Sequence, residues 1–119
     1  MGAISMDNLE VKMSKKYIYI KLPGGVKAYL RYEIIDNVMK LLETYTPPEY
    51  RGKGLAAKLV TYALEYAKNK GLRVKPICSY TIRYFIKHPE YRSLLVEEYK
   101  NISLEEAFEK RLEEEKGLK

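Results

Sequence analysis

Thr46-Pro47-Pro48-Glu49-Tyr50-Arg51-Gly52-Lys53-Gly54-Leu55-Ala56-Ala57-Lys58-Leu59 sets two prolines and two spaced glycines directly ahead of a helix-forming run. Proline lacks the amide a sheet ladder needs, so a strand that reaches Pro47 stops there. Glycines at a helix entrance strip side chains from amides that have no intrahelical partner. Such an end carries roughly half an elementary positive charge, and Arg51 and Lys53 add to it. The stretch reads as strand stop, anion cradle, helix. A glycine-rich helix entrance with no ligand is the plain alternative.

Working outward, residues 53–69 form the clearest helix. Leu55, Leu59, Ala63 and Tyr66 fall on one face, with Ala56, Val60 and Ala67 beside them, the stripe of a helix packed on a sheet. Gly71 stands where a left-handed cap belongs. Residues 73–77 read as a short strand. Residues 79–87, SYTIRYFIK, read as a second helix ended by Pro89 and its restraint on His88. Upstream, residues 15–22 alternate Tyr17/Tyr19 with Ile18/Ile20, Leu22-Pro23-Gly24-Gly25 supplies turn chemistry, and residues 26–34 resume the alternation with Leu30, Tyr32 and Ile34 on one face. That is a hairpin. Residues 37–45 are ambiguous by pattern, and the prolines at 47–48 favour a strand.

From residue 97 the character changes. Ser103 with Glu106 forms a capping box, and Leu104, Ala107, Phe108 and Leu112 make a narrow apolar stripe on an acidic helix. Packing on the body is its simplest role, and binding a partner is the alternative. The order β-β-β-α-β-α-α predicts an α+β class: a mixed, mostly antiparallel sheet flanked by helices, with an extra acidic C-terminal helix. One domain over 1–119 is expected, with an N-terminal segment (1–14), a core (15–96) and a helical extension (97–119). Residues 1–5, MGAIS, look like an expression scar ahead of a start at Met6.

Composition narrows the function. No apolar run approaches the roughly 20 residues a membrane-spanning helix needs, and MGAISM lacks a signal-peptide layout. One Cys and one His allow neither a disulfide framework nor a Cys/His metal cluster within one chain, so no metal is expected and the cytoplasm is the simplest location. With 16 Lys, 14 Glu and no Gln, the composition is thermophile-like. Residues 1–96 hold 17 Lys/Arg against 8 Asp/Glu, whereas 97–119 hold 5 against 8. The body should attract anions: phosphorylated cofactors, nucleic acid or acidic proteins.

Two familiar phosphate loops fail on spacing. Gly52-x-Gly54-x-x-Ala57 nominally fits a dinucleotide fingerprint, but a double proline separates it from the strand. No acidic residue follows about 20 positions on, since 69–77 is NKGLRVKPI. A Walker A loop would need glycine at Pro47, and no Ser or Thr follows Lys53.

Arg51-Gly52-Lys53-Gly54-Leu55-Ala56 instead resembles the R/Q-x-x-G-x-G/A loop of the GCN5-related N-acetyltransferases, which grips the pyrophosphate of acetyl-coenzyme A. The likeness covers about residues 15–95. Pro48-Glu49-Tyr50-Arg51-Gly52-Lys53-Gly54, then Cys78-Ser79-Tyr80 and Tyr84 to His88-Pro89, looks like the minimal single-domain members, whose substrates are unknown. Glu43-Thr44 stands where many of these carry His-Thr.

The resemblance implies acetyl-coenzyme A as cofactor and an amine as acceptor, small molecule or protein. It implies that the loop Arg51, Gly52, Lys53, Gly54, Leu55 and Ala56 holds the pyrophosphate while Thr44, Tyr45 and Thr46 run beside the pantetheine arm. Tyr84 would protonate the departing thiolate, with Tyr80 one turn earlier contributing a hydroxyl; packing inside the helix is the alternative for Tyr84. Cys78 opens the second helix and either carries an acetyl group covalently or only lines the pocket. Direct transfer is favoured, because the only His, His88, lies a helix away. Glu43 is the candidate base, set against an ordinary exposed carboxylate or a water in that role. Two other functions compete: a non-catalytic coenzyme A-binding or interaction module, and a nucleic-acid binder. The last is the weakest, since the cations are scattered and no aromatic-glycine signature is present.

Overall fold

The computed structural model describes residues 9–117. The reading of MGAIS and Met6 falls outside them. Five strands form one sheet in chain order: β1 (Lys12–Met13), β2 (Tyr17–Lys21), β3 (Lys27–Ile35), β4 (Val38–Tyr45) and β5 (Arg73–Pro76). Neighbours are antiparallel except β4 and β5, which are parallel because helix α1 (Leu55–Lys70) carries the chain back between them. Helix α2 (Ser79–Lys87), a 3-10 stretch (Pro89–Leu94), the single turn α3 (Glu97–Lys100) and α4 (Leu104–Gly117) follow. The fold class is the expected α+β, a mostly antiparallel sheet with helices. Among the described residues no helix is long and apolar enough to cross a membrane.

Alternation in β2 and β3 does what the sequence implies. Ile18, Ile20, Ala28 and Leu30 are fully buried under α1, while Tyr17, Tyr19 and Tyr29 lie on the other face, which remains open. The first loop is held by Gly24 and Gly25, both in the left-handed region at φ 86° and 79°. Helix α1 buries Leu55, Leu59, Val60, Ala63, Leu64 and Ala67 against the sheet and ends on left-handed Gly71, as expected. Phe85 of α2 completes the core with no exposed surface.

Two expectations change. Residues 12–13 add a strand that a two-residue length makes invisible to periodicity. Helix α1 starts at Leu55 rather than 53, because Gly54 sits at φ 81° as the N-cap. Ile34 does share the face of Leu30 and Tyr32, opposite Met39, but at the end of the strand it is 40% exposed, near a hairpin turn at Asp36-Asn37, both at positive φ.

A bulge between β3 and β4 positions the site. Arg31 pairs with Glu43 but Tyr32 pairs with Leu41, leaving Leu42 without a partner. One extra residue inverts the alternation. Met39 and Leu41 face the helices, and beyond the bulge it is Thr44, opposite buried Leu30, that does so. Glu43 and Tyr45 turn to the open face.

Candidate active site

Strand β4 outruns its parallel neighbour. The last β4–β5 pair is Leu41 with Pro76, whose ring nitrogen has nothing to donate. The amides of Ile77 and Cys78 then both donate to the Leu41 carbonyl, at 2.9 and 3.1 Å, and the chain turns into α2. Residues 42–45 are left with no strand on that side, an edge able to pair with an extended ligand.

Beyond the edge lies the proline-glycine loop. Pro48–Tyr50 form one 3-10 turn, and the Arg51 Nε donates back to the Thr46 carbonyl at 2.9 Å, closing the loop on itself. Gly52 and Gly54 take φ 79° and 81°, where a Cβ would strain the backbone. The Gly54 cap has no side chain, the first helical bond runs from the Lys58 amide to the Gly54 carbonyl, and the first turn contains no acid. The amides of residues 55–57 therefore precede the helical ladder.

Edge, loop and helix end enclose an open groove of about 400 Å³ lined by Thr44, Tyr45, Thr46, Tyr50, Arg51, Gly52, Gly54, Leu55, Ala56 and Tyr80. The lining includes a guanidinium and no carboxylate. Of the nine residues expected to hold the cofactor, eight line it; Lys53 does not. The sequence reading gave Tyr50 no role there. The 3-10 turn brings it to the groove, with its hydroxyl 3.4 Å from the Pro23 carbonyl.

The proposed chemical residues separate. Cys78 is buried behind the groove wall, its Sγ 3.4 Å from Thr44 Oγ1. Tyr80 lines the groove, partly exposed, and its hydroxyl makes no hydrogen bond among the described residues. Burial and then the neighbouring Tyr84 push its phenol above the ordinary value. Tyr84 is buried and is not part of the lining. Thr61 spends its one hydroxyl hydrogen on the Ala57 carbonyl at 2.8 Å, so in the 2.7 Å contact with Tyr84 it is the tyrosine that donates. The Tyr84 proton thus points at α1. Glu43 lies on the open face of the sheet, 3.4 Å from the Arg31 Nε and away from Cys78. His88 caps the far end of α2, stacked on Tyr84 at 4.1 Å and 3.6 Å from Glu90. Among the described residues no group of His, Cys, Asp and Glu is disposed to hold a metal ion.

The start of α2 is tied down by a residue 36 positions on. Glu115 of α4 accepts the Ser79 amide at 2.9 Å and the Ser79 hydroxyl at 2.5 Å. A carboxylate therefore occupies the helix end beside Cys78, where a cysteine thiolate would otherwise find its amide support. No local pattern marks Glu115 for this, because it is one of three consecutive glutamates. Glu115→Ala leaves a nearly buried amide and hydroxyl without their acceptor. It is expected to lower stability by about 1–3 kcal/mol in urea unfolding, with the slope unchanged.

Comparison with known proteins agrees with this architecture. A family model described as GCN5-related N-acetyl-transferase matches residues 17–94. The solution structure of a GCN5-like protein from Staphylococcus aureus superposes with a TM-score of 0.58 at 24% identity, covering 76% of this chain and 91% of that one. At that identity the superposition speaks for the fold alone.

Proposed function

This chain belongs to the GCN5-related N-acetyltransferase family, and on that footing we propose that it moves an acetyl group from acetyl-coenzyme A to an amine by direct attack. The observation that carries the reading is the groove: an unpaired strand edge beside two left-handed glycines and an uncapped, acid-free helix entrance. These residues fit a coenzyme A thioester. The amides of 55–57 and the Arg51 guanidinium suit a diphosphate, and the β4 edge at 42–45 suits an amide-bearing arm. When bound, the thioester supplies the activated acetyl group.

The chain's own part is positioning and proton management. Holding both reactants along β4 removes much of the entropic barrier. Tyr80, rather than Tyr84, is the hydroxyl free to hydrogen-bond the departing sulfur, since Tyr84 is committed to Thr61. Its raised phenol pKa keeps the proton in place at neutral pH, so loss of activity through Tyr80 ionisation falls above pH 10. Three observations support direct attack over an acetyl-cysteine: Cys78 is buried behind Thr44, its helix end carries Glu115, and His88 is at the opposite end of α2. Water accepts the amine proton in this scheme. Glu43 has only an exposed ion pair and stands outside the groove lining.

Thermal unfolding with acetyl-coenzyme A, desulfo-coenzyme A and an oligonucleotide tests the reading. Either coenzyme A compound at 100 times its Kd adds about 2.7 kcal/mol of stability. For a domain this size that raises Tm on the order of 10 °C. Stabilisation by the oligonucleotide alone, lost at moderate salt, would sink the proposal. Gly54→Ala should cost about 1–2 kcal/mol from left-handed strain in the unliganded chain. It should also shrink the ligand-induced Tm shift, because its methyl group stands at the helix entrance.

A further inference from the structure

The open face of the sheet has more aromatic surface than solvent exposure favours. Tyr19, Tyr29 and Tyr45 stand in one cross-strand row over β2, β3 and β4, in the register Tyr19↔Tyr29↔Tyr45. Strands lie about 4.8 Å apart, so the row runs about 10 Å across the sheet. The Tyr29 and Tyr45 rings are 5.5 Å apart and tilted by 31°, and Tyr17 meets Tyr29 edge-on at 5.3 Å. Tyr17 and Tyr45 remain 39% and 41% exposed. A shallow basin of about 420 Å³, lined by Ser14, Tyr17, Tyr19, Lys27 and Tyr29, opens at the β2 side.

The two ends of this face differ in charge. At one end Lys21 and Lys27 are directly opposed across β2 and β3, a like-charge pair that costs stability, with Lys27 Nζ 5.4 Å from the Tyr19 ring centre. At the other end Glu43 stands beside Tyr45 and directly opposite Arg31, whose Nε is 3.4 Å from its carboxylate, so the charge there is balanced; Glu43 also helps raise the Tyr29 phenol, though burial is the larger cause. Tyr45 is also a wall of the candidate cofactor groove, so the row is continuous with it.

We propose that this face is the acceptor platform, and that it takes an elongated primary amine with a flat apolar body and an anionic far end. The ammonium lies toward Tyr45 and Glu43, the body across Tyr29, and the anion at Lys21 and Lys27. This rests on the acetyl-transfer reading for its purpose but not for its binding. Cationic charge is attracted by tyrosine faces, the balanced Arg31–Glu43 end repels it less than the lysine end does, and the two opposed lysines gain a shared counterion.

The test uses the full chain with ring-labelled tyrosine, titrated with 4′-(aminomethyl)biphenyl-4-carboxylate and followed by NMR. The expected result is saturable shifts of the Tyr29 and Tyr45 ring signals. Affinity should fall at least tenfold for the corresponding carboxamide, which lacks the anion, and in Lys27→Glu. That variant sets opposite charges across from each other at Lys21, so lost binding would not reflect unfolding. Silent ring signals, or equal affinity for the carboxamide, overturn the proposal. So do ring shifts that follow protein concentration alone, which would mark a face for a second copy, and displacement of the probe by single-stranded DNA. With acetyl-coenzyme A added, mass spectrometry separates the two readings. A probe that binds but stays unacetylated leaves the platform standing and removes the transferase reading for this class of acceptor.

Discussion

Tyr80→Phe is expected to reduce kcat on the order of 100-fold, the usual scale of one positioned proton donor, while KM for acetyl-coenzyme A changes little. The loss is confined to the step in which the sulfur departs, because the ring that lines the groove is retained. Tyr84→Phe should behave in the opposite sense. It removes a buried hydrogen bond to Thr61, costing about 1 kcal/mol of stability, and leaves kcat near its original value. Steady-state kinetics of both variants against a common amine decide between the hydroxyls. A collapse of kcat in Tyr84→Phe with normal turnover in Tyr80→Phe would reverse the assignment.

Phe85→Ala should lower the free energy of unfolding by about 3–5 kcal/mol, read from urea curves of the unliganded chain. Phe85 is among the largest side chains with no exposed surface. It is on α2, which packs on α1, β4 and β5. Against a total stability of about 5–15 kcal/mol, such a loss leaves the domain marginal. Two main-chain ties of α2 survive the change: Arg92 still donates to the Phe85 and Ile86 carbonyls, and Glu115 still holds Ser79. The helix should therefore stay formed but loosen against β4, raising KM for acetyl-coenzyme A, whose proposed groove Tyr80 lines, before secondary structure is lost. Unfolding within 1 kcal/mol of the parent would mean the core closes over the gap.

Elements whose residues repeat at a fixed period were legible in the sequence: the Tyr/Ile alternation of β2, the apolar stripe of α1, and the two helices beyond it. So was the proline-glycine loop, because proline and glycine act on their own backbone and need no neighbour to be understood. What periodicity missed is instructive. The Asp36-Asn37 turn uses residues that only tolerate left-handed φ, so it reads weakly beside a Gly-Gly turn. The bulge at Leu42 lies inside an apolar run, where one extra residue leaves no compositional trace.

The site divides along the same line. The sequence by itself determined that a strand stops at Pro47, that an uncluttered helix entrance follows, and that Cys78, Tyr80 and Tyr84 open the next helix. Only the tertiary structure decided which of them face the groove. The bulge sends Thr44 and Glu43 to opposite faces, Thr61 accepts a hydrogen bond from Tyr84, and Glu115 arrives from 36 residues on to occupy the end of α2. Local backbone preferences are properties of a few adjacent residues. The direction of a hydroxyl or a carboxylate is set by partners the chain meets only when it folds back on itself.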